Sequence, residues 1–392
     1  MTTLMQASNQ WASRPDDERF VTLTELDNRM QSIRENSRAR VVSTRQIQVQ
    51  PDPVNPRNGI VIESELGVAT PTNWSFGQMA SLAGAPAGYL RSLPAPLVAD
   101  CMNYGLRFKR DAADIGLLNT SMAAAHPTFD GTSGEEPSGL GKYGGLISEN
   151  RAATGPQYGR IWNSDVTSAL VSKFGDGRTG DFRVPGEFGK AVDITKANTT
   201  IYGSDRNIFI FLADEVNRIE MADRRNGQPG SLARGFFVWN SEVGSDTMGA
   251  AFFMFDYVCA NRIVWGVNDF KEIRLRHTRH APDRWMEEIT PVLQDYSNAA
   301  AGPIEETIKL AQAAKLETDL DEFLTKRFTG KDSFSRTEMS AIADAHVREE
   351  GRPIESLWDV TTGITAFAKT IQHQDARVLV ERRGGKVLDM VA

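Results

Sequence analysis

The chain has 392 residues, 40% of them hydrophobic, with 33 glycines and 17 prolines. It is long enough to bury a sizeable core without disulfides, and the composition excludes a collagen-like or disordered chain. With 51 acidic against 44 basic side chains, the net charge of −7 excludes a histone-like DNA binder. It does not exclude a local basic groove on an acidic body.

Taken in order, Thr24-Glu25-Leu26-Asp27 opens a short helix whose apolar positions, Leu23, Leu26, Met30 and Ile33, recur at helical spacing. Residues 45–50 alternate as a strand and are stopped by Pro51, Pro53 and Pro56. Asn58-Gly59 then turns into a second strand at Ile60–Ile62. Asn73 or Ser75 caps a helix through Leu82, and Pro86 and Pro94 punctuate two further short helices. From His126 to Gly145 the chain reads as a glycine- and proline-rich excursion. A strand resumes at Leu146–Ser148, and a helix capped by Asn163-Ser164-Asp165 runs to about Phe174. Residues 199–212 read as a hairpin around Gly203–Arg206. Strand-like runs follow at Gly235–Trp239, Met248–Tyr257, Arg262–Val267 and Ile273–His277, and helical periodicity then dominates from Trp285 to Ile371 before a basic tail.

The pattern predicts an α+β protein: a mostly antiparallel sheet with a helical insert and a helical C-terminal third. The expected division is an N-terminal extension over 1–58, an α+β core domain over 59–284 and a helical region over 285–392. Two distant cysteines, Cys101 and Cys259, make neither a disulfide framework nor a metal knuckle. No signal-peptide pattern opens the sequence, and the most apolar stretch, 250–267, is broken by Asp256, Asn261 and Arg262. A cytoplasmic protein with no membrane partner is expected.

The glycine-rich Gly139–Gly145 does not make a phosphate loop, because Tyr143 follows Lys142 where Ser or Thr must stand. No cofactor is therefore expected. The only close histidine pair, His277 and His280, lacks the glutamate of a zinc helix and lies among cations, so no metal is expected either. That cationic run is itself suggestive: Lys271, Arg274, Arg276, His277 and Arg279 could track a phosphate backbone, with Arg274 and Arg276 two apart on one strand side. Arg224 and Arg225 in a turn, Arg234, and the tail residues Arg377, Arg382, Arg383 and Lys386 would extend the surface. Trp265 or Trp285 would stack on bases. The alternative for any charge run is a solvated face neutralised by acidic neighbours.

Asn240-Ser241-Glu242-Val243-Gly244 is the most unusual string. It reads either as a capped turn held by side-chain-to-backbone hydrogen bonds or as a polar clamp. An enzyme built on Ser241, Glu242, Cys259 and His277 would need these groups to converge at hydrogen-bond distance.

Asn240, Ser241, Glu242 and Gly244, followed by Cys259-Ala260-Asn261 and an arginine-rich strand ending in His277, resemble the domain-of-unknown-function 932 family of phage- and plasmid-like proteins. Asn73-Trp74-Ser75, Pro86–Leu90, Ile161–Val166 and Leu357–Val360 fit the same resemblance, and Arg262 departs from it where glycine is expected. The resemblance implies a protein of a mobile element. Joined to the basic strand, it leads to the expectation of a nucleic-acid-binding protein, with single-stranded DNA favoured and strand annealing in replication or recombination as its role. Homo-oligomerisation would align several basic strands. The alternative is a non-enzymatic protein that redirects a host factor through its acidic surface and the His126–Gly145 excursion.

Overall fold

The structure, a computed structural model, describes residues 16–53, 55–108, 114–121, 148–185, 193–225, 228–256, 261–265, 272–299, 302–371 and 374–391. Near the start, β1 (Arg19–Phe20) leads into α1 (Leu23–Glu35), whose N-terminus is capped by the Thr22 hydroxyl accepting from the Glu25 N–H. The four residues at helical spacing in α1 are all buried. Next come β2 (Ser37–Ser43), β3 (Gln48–Pro51), β4 (Ile60–Ser64) and β5 (Gly67–Pro71). Three helices follow, α2 (Asn73–Leu82), α3 (Ala87–Leu90) and α4 (Ala95–Phe108), then β6 (Asp114–Ser121) and β7 (Ser148–Thr154). These strands form a six-stranded sheet in the order β2-β6-β7-β5-β4-β3, antiparallel except for the parallel β5–β7 pair. α2 and α4 cover one face, burying Phe76, Met79, Val98 and Met102 against Val49, Ile62 and Leu117.

After α5 (Asn163–Phe174), a second, wholly antiparallel sheet is assembled. Its strands are β8 (Phe182–Arg183), β9 (Ile201–Gly203), β10 (Ile208–Asp214), β11 (Ile219–Arg225), β12 (Gln228–Asn240), β13 (Met248–Asp256), β14 (Asn261–Val264) and β15 (Ile273–Leu275). The central path is β1-β9-β10-β12-β13-β14, with β8 on β10, β11 on β12 and β15 on β13. β10 and β13 are buried along their whole length, which is why they read as nearly unbroken apolar runs. Period-two alternation sends Ile208, Ile210, Phe236, Val238 and Phe252 to one face, where they meet α1 and α5. Phe209, Phe211, Phe237 and Phe253 point to the other.

The C-terminal helices are α6 (Ala281–Glu288), α7 (Thr290–Asn298), α8 (Gly302–Ala313), α9 (Leu320–Arg327), α10 (Arg336–Glu350), α11 (Leu357–Ala368) and α12 (Gln374–Leu388). Trp285, Leu293 and Tyr296 of α6 and α7 join the first face. Ile304 and Ile308 of α8, Trp358 of α11 and Leu388 of α12 extend that face by packing on Leu232, Met254 and Ile263, while Val378 of α12 packs on the second. The large sheet thus carries most of its helices on one face, and α12 packs against the other.

The α+β class and the helical C-terminal third are as the sequence pattern requires. Two boundaries differ. Residues 19–51, read from the sequence as part of an extension, place β1 in the large sheet and β2 and β3 in the small one. The helical run read from Trp285 is broken early, where Thr290-Pro291 starts α7. Among the described residues, no helix is long and apolar enough to cross a membrane.

Candidate functional site

The Asn240–Gly244 string leaves the end of β12 and ties the large sheet to the small one. Asn240 donates through Nδ2 to the Ile161 carbonyl at 2.9 Å and to Asn163 Oδ1 at 2.8 Å. The Ser241 hydroxyl donates to the Arg206 carbonyl at 2.8 Å and accepts from the Ser245 N–H at 3.0 Å. The Val243 carbonyl accepts from Trp74 Nε1 at 3.1 Å and Gln78 Nε2 at 2.9 Å, both on α2. Gly244 completes the turn at φ +82°, a left-handed conformation that disfavours any side chain.

Glu242 is the centre of this joint. Its carboxylate pairs with Arg151 of β7 at 2.5 Å, both side chains being buried, and accepts from the Asn163 N–H at 3.0 Å. That second bond caps α5, whose own N-cap residue, Trp162, supplies no side-chain acceptor. The Arg160 guanidinium donates to the Glu242 carbonyl, and Arg151 also donates to the Asp205 carbonyl at 3.0 Å.

Alternating cations and rings run outward from the joint. Arg34 lies 5.2 Å from the Trp162 ring, Arg160 lies 5.8 Å from the same ring and 5.5 Å from Tyr158, and His277 stacks on Tyr158 at 4.8 Å. The order is Arg34, Trp162, Arg160, Tyr158, His277. Each cation–ring pair contributes about 0.5–1 kcal/mol where exposed. Arg34 is further tied to Asp165 by an ion pair. Tyr158 donates its hydroxyl to the Ser241 carbonyl at 2.6 Å, and burial pushes its phenol well above the usual range. His277 Nδ1 is 3.0 Å from the Gly159 carbonyl, so that nitrogen carries the proton and Nε2 is a bare acceptor. Burial, opposed by the bond to Gly159 and aided by the charge of Arg160, lowers the His277 pKa.

Beside Tyr158 opens a hollow of about 830 Å³, lined by Trp74, Gln78, Arg91, Thr154, Tyr158 and Arg206. The Arg206 guanidinium sits 5.9 Å from the Trp74 ring. A larger hollow, about 1220 Å³, lies between β11 and helices α8 and α11. Arg352 and Asp359 on its wall satisfy each other through two bonds of 2.6 and 2.8 Å, and it lies apart from the cation–ring series, so the smaller hollow is the better candidate site.

The structure divides the basic residues read from the sequence. Arg274 and Arg276 are both exposed with Leu275 buried between them, and Arg279 is exposed nearby. Arg276 and Arg279 make no ion pair among the described residues. Arg274 is engaged by Glu272 and lies 5.5 Å over Trp239, a ring whose place is kept open by Gly249. Arg234 is not a surface cation: it is 3% exposed, pairs with Asp214 at 3.0 Å and donates to the Ala299 carbonyl. Its position on the doubly covered β12 forces that pairing, since a buried guanidinium needs a partner. Arg224 and Arg225 end β11 rather than sitting in a turn, and their side chains, like that of Asn261 in β14, lie outside the described residues. Lys271, Cys259 and the Gly139–Gly145 loop lie outside them as well.

Trp265 and Trp285 are core residues at 4% and 5% exposure and cannot stack on bases. The tail cations fold back onto the protein. Arg377 pairs with Glu381 at 2.7 Å, Arg382 with Glu272 at 2.8 Å and Lys386 with Asp332 at 2.6 Å, while Arg383 reaches the carbonyls of Ser333 and Lys331.

Ser241, Glu242 and His277 do come together around Tyr158. Yet the Ser241 hydroxyl bonds to Arg206 and Ser245, and Glu242 is consumed by Arg151 and the α5 terminus, so the string acts as a capped, interlocked turn. Among the described residues, no three His, Cys, Asp or Glu side chains gather as a metal site. Sequence reasoning does not pick out Trp74, Arg151, Tyr158, Arg160 or Arg206 for a site. Their one readable signal is the alternation Tyr158-Gly159-Arg160-Ile161-Trp162, in which extended backbone puts every second side chain on one side.

Fold and site together define an α+β protein of two sheets joined through a buried ion pair, with a cation-and-aromatic series on the joint. No protein-family model, curated protein or solved structure matches the chain.

Proposed function

We propose that this protein binds single-stranded nucleic acid, DNA in preference, and serves strand annealing in the replication or recombination of a mobile element. The mobile-element setting rests on the short strings shared with the phage- and plasmid-like family. The binding reading is carried by one observation: His277, within the Arg274–Arg279 basic segment, is stacked on Tyr158, which lines the Trp74–Arg206 hollow. A backbone phosphate on Arg276 or Arg279 would therefore have aromatic and guanidinium surfaces within reach for its base. Stacking of this kind tolerates any sequence, and charge supplies most of the affinity. No nucleotide cofactor enters this scheme.

The test is fluorescence anisotropy with single- and double-stranded oligonucleotides across a salt series, using nuclease-treated protein. Salt-sensitive binding that prefers single strands is expected. In R276A/R279A the slope of log K against log salt should flatten by about 0.7 for each phosphate no longer neutralised, with affinity falling at every salt. An unchanged slope would dismiss the basic segment as the phosphate-binding element. Absence of binding at low salt would leave capture of a host protein as the reading to pursue.

A further inference from the structure

α4 buries one face and exposes another that is unusually apolar. Val98, Ala99, Met102 and Leu106 pack into the small-sheet core, and Gly105 lies so close to Ala83 that a Cβ there would sit 2.1 Å from its carbonyl oxygen. On the outer side, Leu97, Tyr104 and Phe108 are 54%, 63% and 74% exposed, and Cys101 is exposed between them. The spacing of Leu97, Cys101, Tyr104 and Phe108 is four, three and four residues, the a/d spacing of a two-helix coiled coil.

The charges beside the seam name its occupant. With Leu97 and Tyr104 as d positions and Cys101 and Phe108 as a, both exposed charges of the helix, Asp100 and Arg107, fall at g. The e positions, Val98 and Gly105, are buried in the protein's own core and can offer nothing to a neighbour. In an antiparallel helix pair g faces g, so Asp100 of one copy meets Arg107 of the other, and the two-fold axis repeats the pair. In a parallel pair g faces e, and both charges would be left without a partner. Leu97 then covers Phe108 of the other copy, and Cys101 covers Tyr104.

We propose that α4 is a homodimer interface in which two copies pair antiparallel through Leu97, Cys101, Tyr104 and Phe108. Fourteen helical residues give a patch about 21 Å long and roughly 10 Å wide. That is smaller than a permanent dimer interface, so the dimer forms and separates with concentration.

The experiment is sedimentation equilibrium of the full chain from about 1 to about 200 µM, where mass action governs the dimer fraction. D100R and R107D should each weaken dimerisation by about tenfold or more, because like charges then meet across the axis. The double swap D100R/R107D should restore it, and mixing the two single variants should give a heterodimer. The charge variants lie on exposed positions, and circular dichroism checks that each is folded. A bismaleimide with a short spacer should join two copies through Cys101 in a C259A background. A monomer throughout the range, single variants that dimerise like the parent, or a double swap that does not recover would each overturn the proposal and leave the stripe to a different partner.

Discussion

Glu242 carries an ionised side chain into the interior, and three groups keep it there: Arg151, the Asn163 N–H and the peptide geometry fixed by Arg160. Removing one partner of such a pair strands the other charge. E242A should therefore cost about 3–5 kcal/mol of unfolding free energy in urea, and an R151M/E242L double variant should recover a large part of it. His277 answers to pH in the opposite sense to a histidine that gains an acidic partner on folding. Its folded pKa lies below the ordinary value, so the unfolded chain binds the extra proton. The neutral ring costs nothing above the unfolded value of about 6.5, and stability falls as pH drops below it until the folded ring also protonates. Thermal melts between about pH 8 and pH 5 should show this acid limb, and H277N should flatten it.

At the scale of elements, close backbone approach decides what can be read. α1 is legible because its apolar spacing and its burial coincide. β10 and β13 are legible as apolar runs, and the Gly203–Arg206 turn closes the hairpin it signals. α12 is not, because Gly384-Gly385 argues against a helix. The reason those glycines stand there is visible only in three dimensions: a Cβ at Gly385 would lie 2.1 Å from the Val264 carbonyl oxygen, where α12 crosses β14. G385A should accordingly lose about 1–3 kcal/mol by overpacking. G302A, with nothing within 4 Å, should leave the urea midpoint close to the parent's. The site is half legible for the same reason. The Asn240–Gly244 string stands out locally, but what it grips (Trp74, Gln78, Arg151, Asn163 and Arg206) comes from distant segments, as far as the 169 residues between Trp74 and Val243. Arg234 reads as a surface cation because its neighbours in sequence do not reveal that Asp214 stands across the strand pair.

For the molecule as a whole, charge and burial work at different addresses. The chain carries a net charge of −7 and most of the basic tail is neutralised where it docks, whereas the arginines at 276 and 279 make no ion pair among the described residues. Should α4 pair two copies, each dimer would carry two such segments, related by the axis. The first elements also have a place in time. β1 bonds to β9, and Arg19 donates to the Lys196 carbonyl 177 residues downstream. At roughly 5–20 residues per second, the N-terminal segment waits on the order of ten to forty seconds on the ribosome before its partner strand emerges. Throughout that interval the apolar side of α1 has no sheet to cover it, so the emerging chain is a client for whatever shields hydrophobic segments during translation.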